Sequence, residues 1–379
     1  MARPPEPIFD EELKSVMDEA DLAALREGFR DYLQAECSLH NVQAHVAVRE
    51  GINRALWDGI VAMGWTALSL PESAGGMGLG VKALALAYEE MGRALTPLPY
   101  LSTMLAASAI EAGAAEPERG YWLQKILDGA VFATAPWASA PSFSVTREGD
   151  TLRLTGALPD LLDAPDADFL LLAAIDCDRR SVRVVIDLAQ DGVKVERQPL
   201  WDRTRSLSAV VLDGLTVPAG RLFMPSDEDE AALLSHAAIG LAADAVGGSD
   251  TLLALTIDYL KQRQQFGQPI GSFQALKHRV ADHRARLEGD RALLRSAVNA
   301  VASNAPDAHV EASAAKALAC GSYVELGGDA IQLHGGIGYT AEYACHLFTK
   351  RAWINDKAFG DRNFHLDRAL QLSDSGAKP

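Results

Sequence analysis

Two glycine-bearing segments in the last third of the chain hold residue types suited to gripping a dinucleotide. The first, Lys261–Gln274, reads KQRQQFGQPIGSFQ. A helix running into it is expected to end at Gly267 with a glycine cap, and Pro269 prevents continuation. Arg263 and Phe266, three apart, then share one face at the helix end. A guanidinium forks onto phosphate oxygens, and a ring beside it offers a flat surface, so the pair suits a pyrophosphate and an adenine. Taken singly, they are equally a surface arginine and a core phenylalanine.

The second segment, Gln332–Tyr343, reads QLHGGIGYTAEY. Gly335, Gly336 and Gly338 allow close approach of the backbone to a ligand and present N–H groups to anionic oxygens. Gln332 is placed to reach the same ligand. No strand precedes this turn, which rules out a Rossmann fingerprint. By itself it also fits a plain helix–loop–helix corner.

The elements that must position these segments fall into three zones. From about Asp10 to Leu127 the pattern is helical, as in Val81–Leu95, where Leu84, Tyr88, Met91 and Leu95 form one stripe. From Phe132 to Phe223 short strings such as LRLTG, FLLLAAI and VRVVIDL alternate with Asp, Gly and Pro, which predicts an antiparallel sheet or small barrel. Helices return after Asp227, with runs expected at 232–264, 272–303 and 307–333. The run Asp227–Glu230 is expected to be a solvated link that helps cap the next helix. The expected domains are residues 1–128, 129–227 and 228–379, an α+β chain ordered α, β, α.

With 379 residues and 48% hydrophobic side chains, the chain has the composition of an ordinary globular protein. A net charge of −16 argues against nucleic-acid partners, whose phosphates are neutralised by Lys and Arg. Cys37, Cys177, Cys320 and Cys345 are widely spaced, which predicts reduced thiols and no metal site. The acidic start lacks a signal-peptide core, and no unbroken apolar run has the length of a membrane span. The expectation is a cytoplasmic protein with no membrane partner.

In this order and after this layout, the two segments resemble the RxxFGxPIxxFQ and QxxGGxG(Y/F) motifs of the acyl-CoA dehydrogenase family. Trp65–Gly80 (WTALSLPESAGGMGLG) and Ala87–Ala94 (AYEEMGRA) resemble the family's LPExxGGxGL…EExGRA stretch. The similarity runs from about residue 10 to 370. It implies an N-terminal helical domain, a middle antiparallel β-domain and a C-terminal four-helix bundle, assembled as a dimer or tetramer. The activity it implies is α,β-dehydrogenation of an acyl-CoA, with hydride passing to FAD N5 and electrons on to an electron-transferring flavoprotein. Carried over by position, Arg263, Phe266, Gln274, Gln332, Gly335 and Gly336 would clasp the ADP half of a FAD seated mainly in the neighbouring subunit.

The chain departs from the family's pattern in two places. The loop that hydrogen-bonds the flavin ring, TExxxGSD-like in active members, reads TAPWASAPS over Thr134–Ser142. This leaves Thr134, Ser139 and Trp137 as flavin neighbours. The positions at which members carry the catalytic base correspond to Phe359, within Ala358–Asp361 (AFGD), and to Ala237. The nearest acid is Asp244, seven residues after Ala237, on the same helical face and about 10 Å along the axis. A desolvated aspartate beside a thioester can act as the base. The plainer reading of Asp244 is a salt bridge to an arginine of a neighbouring helix. His236, His334, Asp361 and Arg205, the last matching an arginine common in the family's β-domain, are lesser candidates.

The leading expectation is a dehydrogenase subunit acting on bulky, branched or steroid side-chain acyl-CoAs. A second is a non-catalytic partner in an α2β2 assembly that completes its partner's FAD site. An oxidase or monooxygenase on the same fold is a third.

Overall fold

The computed structural model describes residues 19–48, 51–135 and 142–376. Six helices come first: α1 (Glu19–Glu36), α2 (Leu39–Val48), α3 (Arg54–Ala62), α4 (Gly80–Arg93), α5 (Tyr100–Gly113) and α6 (Glu118–Leu127). The expected stripe on α4 is buried at Leu84, Tyr88 and Met91. Leu95 is buried too, but it lies beyond the helix end with φ 55°. Two adjacent acids of α4, Glu89 and Glu90, are also buried. They are held by Arg26 and Arg30 of α1 and by Arg93. This charge cluster bolts α1 onto α4.

The middle zone is a single eight-stranded sheet. Its strands are β1 (Phe132–Thr134), β2 (Phe143–Glu148), β3 (Thr151–Leu162), β4 (Phe169–Ile175), β5 (Ser181–Asp187), β6 (Val193–Gln198), β7 (Leu207–Pro218) and β8 (Leu222–Phe223). They run in the order β6-β7-β3-β2-β4-β5-β8, with β1 added beside β4. Neighbours are antiparallel except at β4, which meets β1 and one residue of β2 in parallel. The purely antiparallel expectation is therefore corrected at that strand. FLLLAAI reads as an unbroken apolar run because β4 is covered on both faces. Leu171 joins the helical core, while Leu170 and Leu172 join the core inside the sheet.

The third zone holds α7 (Asp227–Gln262), a two-stranded hairpin of β9 (Gln264–Gln265) and β10 (Gln268–Pro269), and helices α8 (Gln274–Ala302), α9 (Ala308–His334), α10 (Cys345–Lys357) and α11 (Arg362–Gly376). Helices α7 to α10 pack on one another and α11 lies along α9. Among the described residues α7 is long and apolar enough to cross a membrane, yet 89% of its most apolar window is buried in the protein. Close packing explains its glycines. A Cβ on Gly247 would stand 1.8 Å from the Glu89 carbonyl, so α7 and α4 touch backbone to backbone. All four cysteines are free thiols.

The acidic run 227–230 is solvated at Asp227 and Glu228 and caps the helix as expected, but it belongs to the helix and is not a link. It forms the first turn of α7, where Ser226 and Asp229 make a reciprocal capping box. Glu230 forks onto Arg183 of β5 at 2.8 and 2.7 Å, and that arginine has no exposed surface. A charge pair thus joins the sheet to the C-terminal helices. The sign pattern of DEDE hid this because the partner lies 47 residues away.

Candidate functional site

The two glycine segments meet in space. Tyr259, one turn before Arg263, stacks on His334 with centroids 4.6 Å apart, and Tyr343 closes on both rings at 6.0 and 4.8 Å. His334 precedes Gly335 directly, so this aromatic trio fixes one segment against the other. His334 is spent here as packing, with Nδ1 2.7 Å from the Ala330 carbonyl.

Arg263 and Phe266 do not share a helical face as expected. Helix α7 stops at Gln262, and Arg263 is its C-cap. The chain turns back through β9 and β10, with Phe266 and Gly267 at the tip at φ 55° and 77°. Two positive φ values are what a two-residue hairpin loop demands, which is why glycine stands at 267. Phe266 takes up this left-handed backbone with its side chain 90% exposed, the Phe273 ring lying 6.1 Å away.

Arg263, Gln274, Gln332, Gly335 and Gly336 are also exposed. A Cβ on Gly335 or Gly336 would meet nothing within 4 Å. Gly335 is required by its backbone (φ 62°, ψ −143°), but the protein's own packing asks for no glycine at 336. Gly338 differs, since a Cβ there would sit 2.9 Å from the Ile331 carbonyl. Gly338 is therefore a packing glycine, whereas Gly335 and Gly336 face open space.

A second feature lies between the sheet and the C-terminal helices. A cavity of about 440 Å³ is lined by Thr134, Leu161, Leu162 and Leu207 of the sheet, by Ile354, and by the turn Ala358–Gly360. Phe359 occupies its wall with φ 53°. Its turn is pinned by Lys316, buried, which donates to the carbonyls of Asp356 and Gly360, and by His365 Nε2, 3.1 Å from the Phe359 carbonyl. Asp361 caps α11 through the Phe364 N–H. The Thr134 hydroxyl donates to the Ser102 carbonyl at 2.7 Å. Ser139 and Trp137 lie outside the described residues.

Asp244 sits in a buried charge network that short-range spacing did not reveal. Arg351 of α10, fully buried, donates to Asp244 Oδ2 at 2.9 Å, to Asp202 Oδ2 at 3.0 Å, to the Thr204 hydroxyl and to the Thr96 carbonyl. Asn355 donates to Asp244 Oδ1 at 2.6 Å. Arg205 stands 3.8 Å from Asp244 and donates to the Leu98 carbonyl. Burial works to lower the Arg351 pKa, but Asp244 and Asp202 hold it above its usual value. Both oxygens of Asp244 thus accept charge-assisted or amide bonds. The crevice around it, between α4 and α7, has a volume of about 10 Å³, room for at most one water. This arrangement is the salt bridge of the plainer reading, and Ala237, two turns earlier on α7, is packed without exposed surface.

His236 is held between the Tyr88 hydroxyl (2.8 Å) and the Ser108 hydroxyl (3.0 Å). Burial lowers it to about 4, and burial likewise lowers His365 to about 4. Both rings are neutral in the folded state at pH 5, when they are charged in the unfolded chain. Stability is therefore complete above about pH 6.5 and declines as pH falls toward 4, by about 1.4 kcal/mol per pH unit for each ring. Urea unfolding at pH 7 and pH 5 checks this. His236→Gln should flatten the slope by about half, and an unchanged slope would remove His236 from the linkage.

Models of the acyl-CoA dehydrogenase N-terminal and C-terminal domains match residues 19–130 and 230–371. The acyl-CoA dehydrogenase IpdE2 of Mycolicibacterium smegmatis is 31% identical over 346 residues, 91% of this chain and 96% of that protein. The chain belongs to the acyl-CoA dehydrogenase family. Its fold agrees with a variant of the Tcur3481-Tcur3483 steroid ACAD (TM-score 0.85, 29% identity, 94% of this chain and 99% of that one). It agrees equally with the ChsE4-ChsE5 complex of Mycobacterium tuberculosis (TM-score 0.85, 24% identity, 96% and 98% covered).

Members of this family are oxidoreductases that bind FAD. For the ADP half, the residues fit: the guanidinium at the end of α7, the ring at the hairpin tip and the two glycines after α9 are all exposed, and the glycines face open space. For the flavin ring, the described wall of this chain's own cavity fits poorly. The ring's pyrimidine edge needs hydrogen-bond donors, whereas the wall is mostly leucine, isoleucine, alanine and phenylalanine.

Proposed function

We propose that this acyl-CoA dehydrogenase acts as the clasping subunit of an oligomer. It holds the ADP half of a FAD seated in a related neighbouring subunit, where the acyl-CoA is dehydrogenated. The observation that carries this is a clasp wholly exposed on a chain whose own cavity carries Phe359 at the place of the base. In such an assembly FAD supplies the hydride acceptor and passes electrons on to an electron-transferring flavoprotein. Arg263 grips the pyrophosphate, Phe266 covers the adenine, Gln274 and Gln332 hydrogen-bond the ligand, and Gly335 and Gly336 bring backbone N–H groups to it. Resemblance to a steroid ACAD and the AFGD ending support a bulky acyl group as the assembly's substrate. Asp244, the acid nearest the family's alternative base position, is then a structural anchor, since its charge is matched to Arg351.

The test is the flavin content. Purified with a related subunit, the assembly should hold one FAD for every two chains, and the lone chain almost none. One FAD per lone chain would overturn the proposal. Asp244→Asn should leave turnover of the assembly within a few-fold of wild type, because an amide still bonds Arg351 and Asn355. Abolished turnover in a folded, flavin-loaded assembly would return the base to Asp244.

A further inference from the structure

The N-terminal helical zone reaches the second glycine segment through a side chain of α2. Gln43, half-buried, turns its amide toward the stretch between α9 and α10 and donates at 3.2 Å to the carbonyls of both Ala341 and Glu342. A glutamine amide has two N–H donors, and here they serve two consecutive carbonyls. The opposite amide orientation would set its oxygen against those carbonyl oxygens, so the contacts themselves fix which end faces the segment. One bond would only tether the segment, whereas two across one peptide unit also set its direction. Helix α2 is a firm base for this grip. Val42 and Val46 are buried beneath it, and Arg203, from the loop before β7, donates to the Ala47 carbonyl near its end.

The gripped segment is one that needs an anchor. It opens at Gly335 and Gly336, where a Cβ would meet nothing of the chain within 4 Å. Glycine also gives up more backbone freedom on ordering than any other residue. Two contacts hold the segment from the C-terminal side: the Cys345 sulfur lies 3.4 Å from the Gly338 carbonyl, and the Tyr343 ring packs on Tyr259 and His334. Gln43 takes the two carbonyls that fall between Gly338 and Tyr343. A loop already ordered when its ligand arrives loses less entropy on binding.

We propose that Gln43 is a positioning residue of the clasp. Its amide holds residues 335–342 so that the backbone N–H groups of Gly335 and Gly336 meet the ADP half of FAD in one fixed geometry. The inference rests on the clasping-subunit reading and extends it, since the clasp then draws on both helical zones of the chain. Gln43 acts through the segment and not on the cofactor.

Equilibrium dialysis of the two-subunit assembly against FAD is the test. Gln43→Met keeps the length of the side chain and removes its donors. It should weaken FAD binding about three- to tenfold, the worth of one or two hydrogen bonds. The flavin-free assembly should still melt within about 2 °C of wild type, because the lost bonds face solvent. Gln43→Lys returns donors at similar reach and should bind FAD within about twofold of wild type. Lysine also brings a positive charge, which the double variant Gln43→Met/Ala44→Lys controls by placing that charge on the exposed next residue with no donor at 43. The double variant should stay as weak as Gln43→Met. Arg263→Ala, measured alongside, separates this inference from the clasp itself. If Arg263→Ala weakens FAD binding and Gln43→Met does not, the positioning role falls and the clasp stands. If Arg263→Ala leaves FAD binding unchanged, the clasp reading falls and this inference with it. A marked loss of flavin-free stability in Gln43→Met, or recovered FAD binding in the double variant, would also overturn the positioning role.

Discussion

Arg351→Leu is expected to destabilise the protein by about 3–5 kcal/mol, the range for breaking a buried charge pair from one side. The guanidinium is fully buried and binds two carboxylates drawn from different parts of the fold, Asp202 from the loop before β7 and Asp244 from α7. It also ties down the Thr96 carbonyl after α4. Leucine fills much of the volume but takes from two buried carboxylates the guanidinium that balances their charge. Differential scanning fluorimetry should show the melting temperature lowered by roughly 5 °C. Adding Asp202→Asn and Asp244→Asn to the same chain should recover part of the loss, because the stranded charges are removed with the arginine. A melting temperature within 2 °C of wild type for Arg351→Leu alone would show that the network contributes little.

Removing the clasp should have an equally large effect on flavin and almost none on folding. Arg263→Ala and Phe266→Ala are each expected to weaken FAD binding by the assembly by about 2–3 kcal/mol, roughly 30- to 150-fold, as arginine and aromatic anchors do at interfaces. Phe266 is 90% exposed and Arg263 is exposed as well, so the flavin-free protein has little packing to lose. Equilibrium dialysis against FAD, alongside a melt of the flavin-free assembly, separates the two effects. Unchanged FAD affinity would place the ADP elsewhere. A large drop in flavin-free stability would make the hairpin a structural element.

The places where the sequence reading and the structure diverge share a physical cause. Helix α7 was expected to run to Gly267, but it stops at Gln262 because the chain closes a hairpin and the Ile270 N–H bonds back to the Arg263 carbonyl. Local propensity cannot weigh that closing bond against one more helical turn. Glu230 looked solvated because its partner, Arg183, is distant in the chain, and Asp244 looked available because Arg351 is farther still. Asp202 and Asn355 gave no signal at all, since single polar residues of this kind are ordinary at loops and on helices.

The sequence alone determined the order helices, sheet, helices, through hydrophobic periodicity that changes from helical to alternating and back. It also carried the two motifs whose resemblance to the family's names the proposed clasp residues, and it has Phe359 and Ala237 at the positions where the family's pattern places a base. Only the tertiary structure showed that Phe266 faces solvent and that Asp244 is paired with Arg351. The direction of Phe266 follows from a hairpin that turns it to solvent, and the role of Asp244 follows from a guanidinium 107 residues away that claims its charge. Both depend on contacts between residues far apart in the chain, which fold geometry creates and local spacing does not encode.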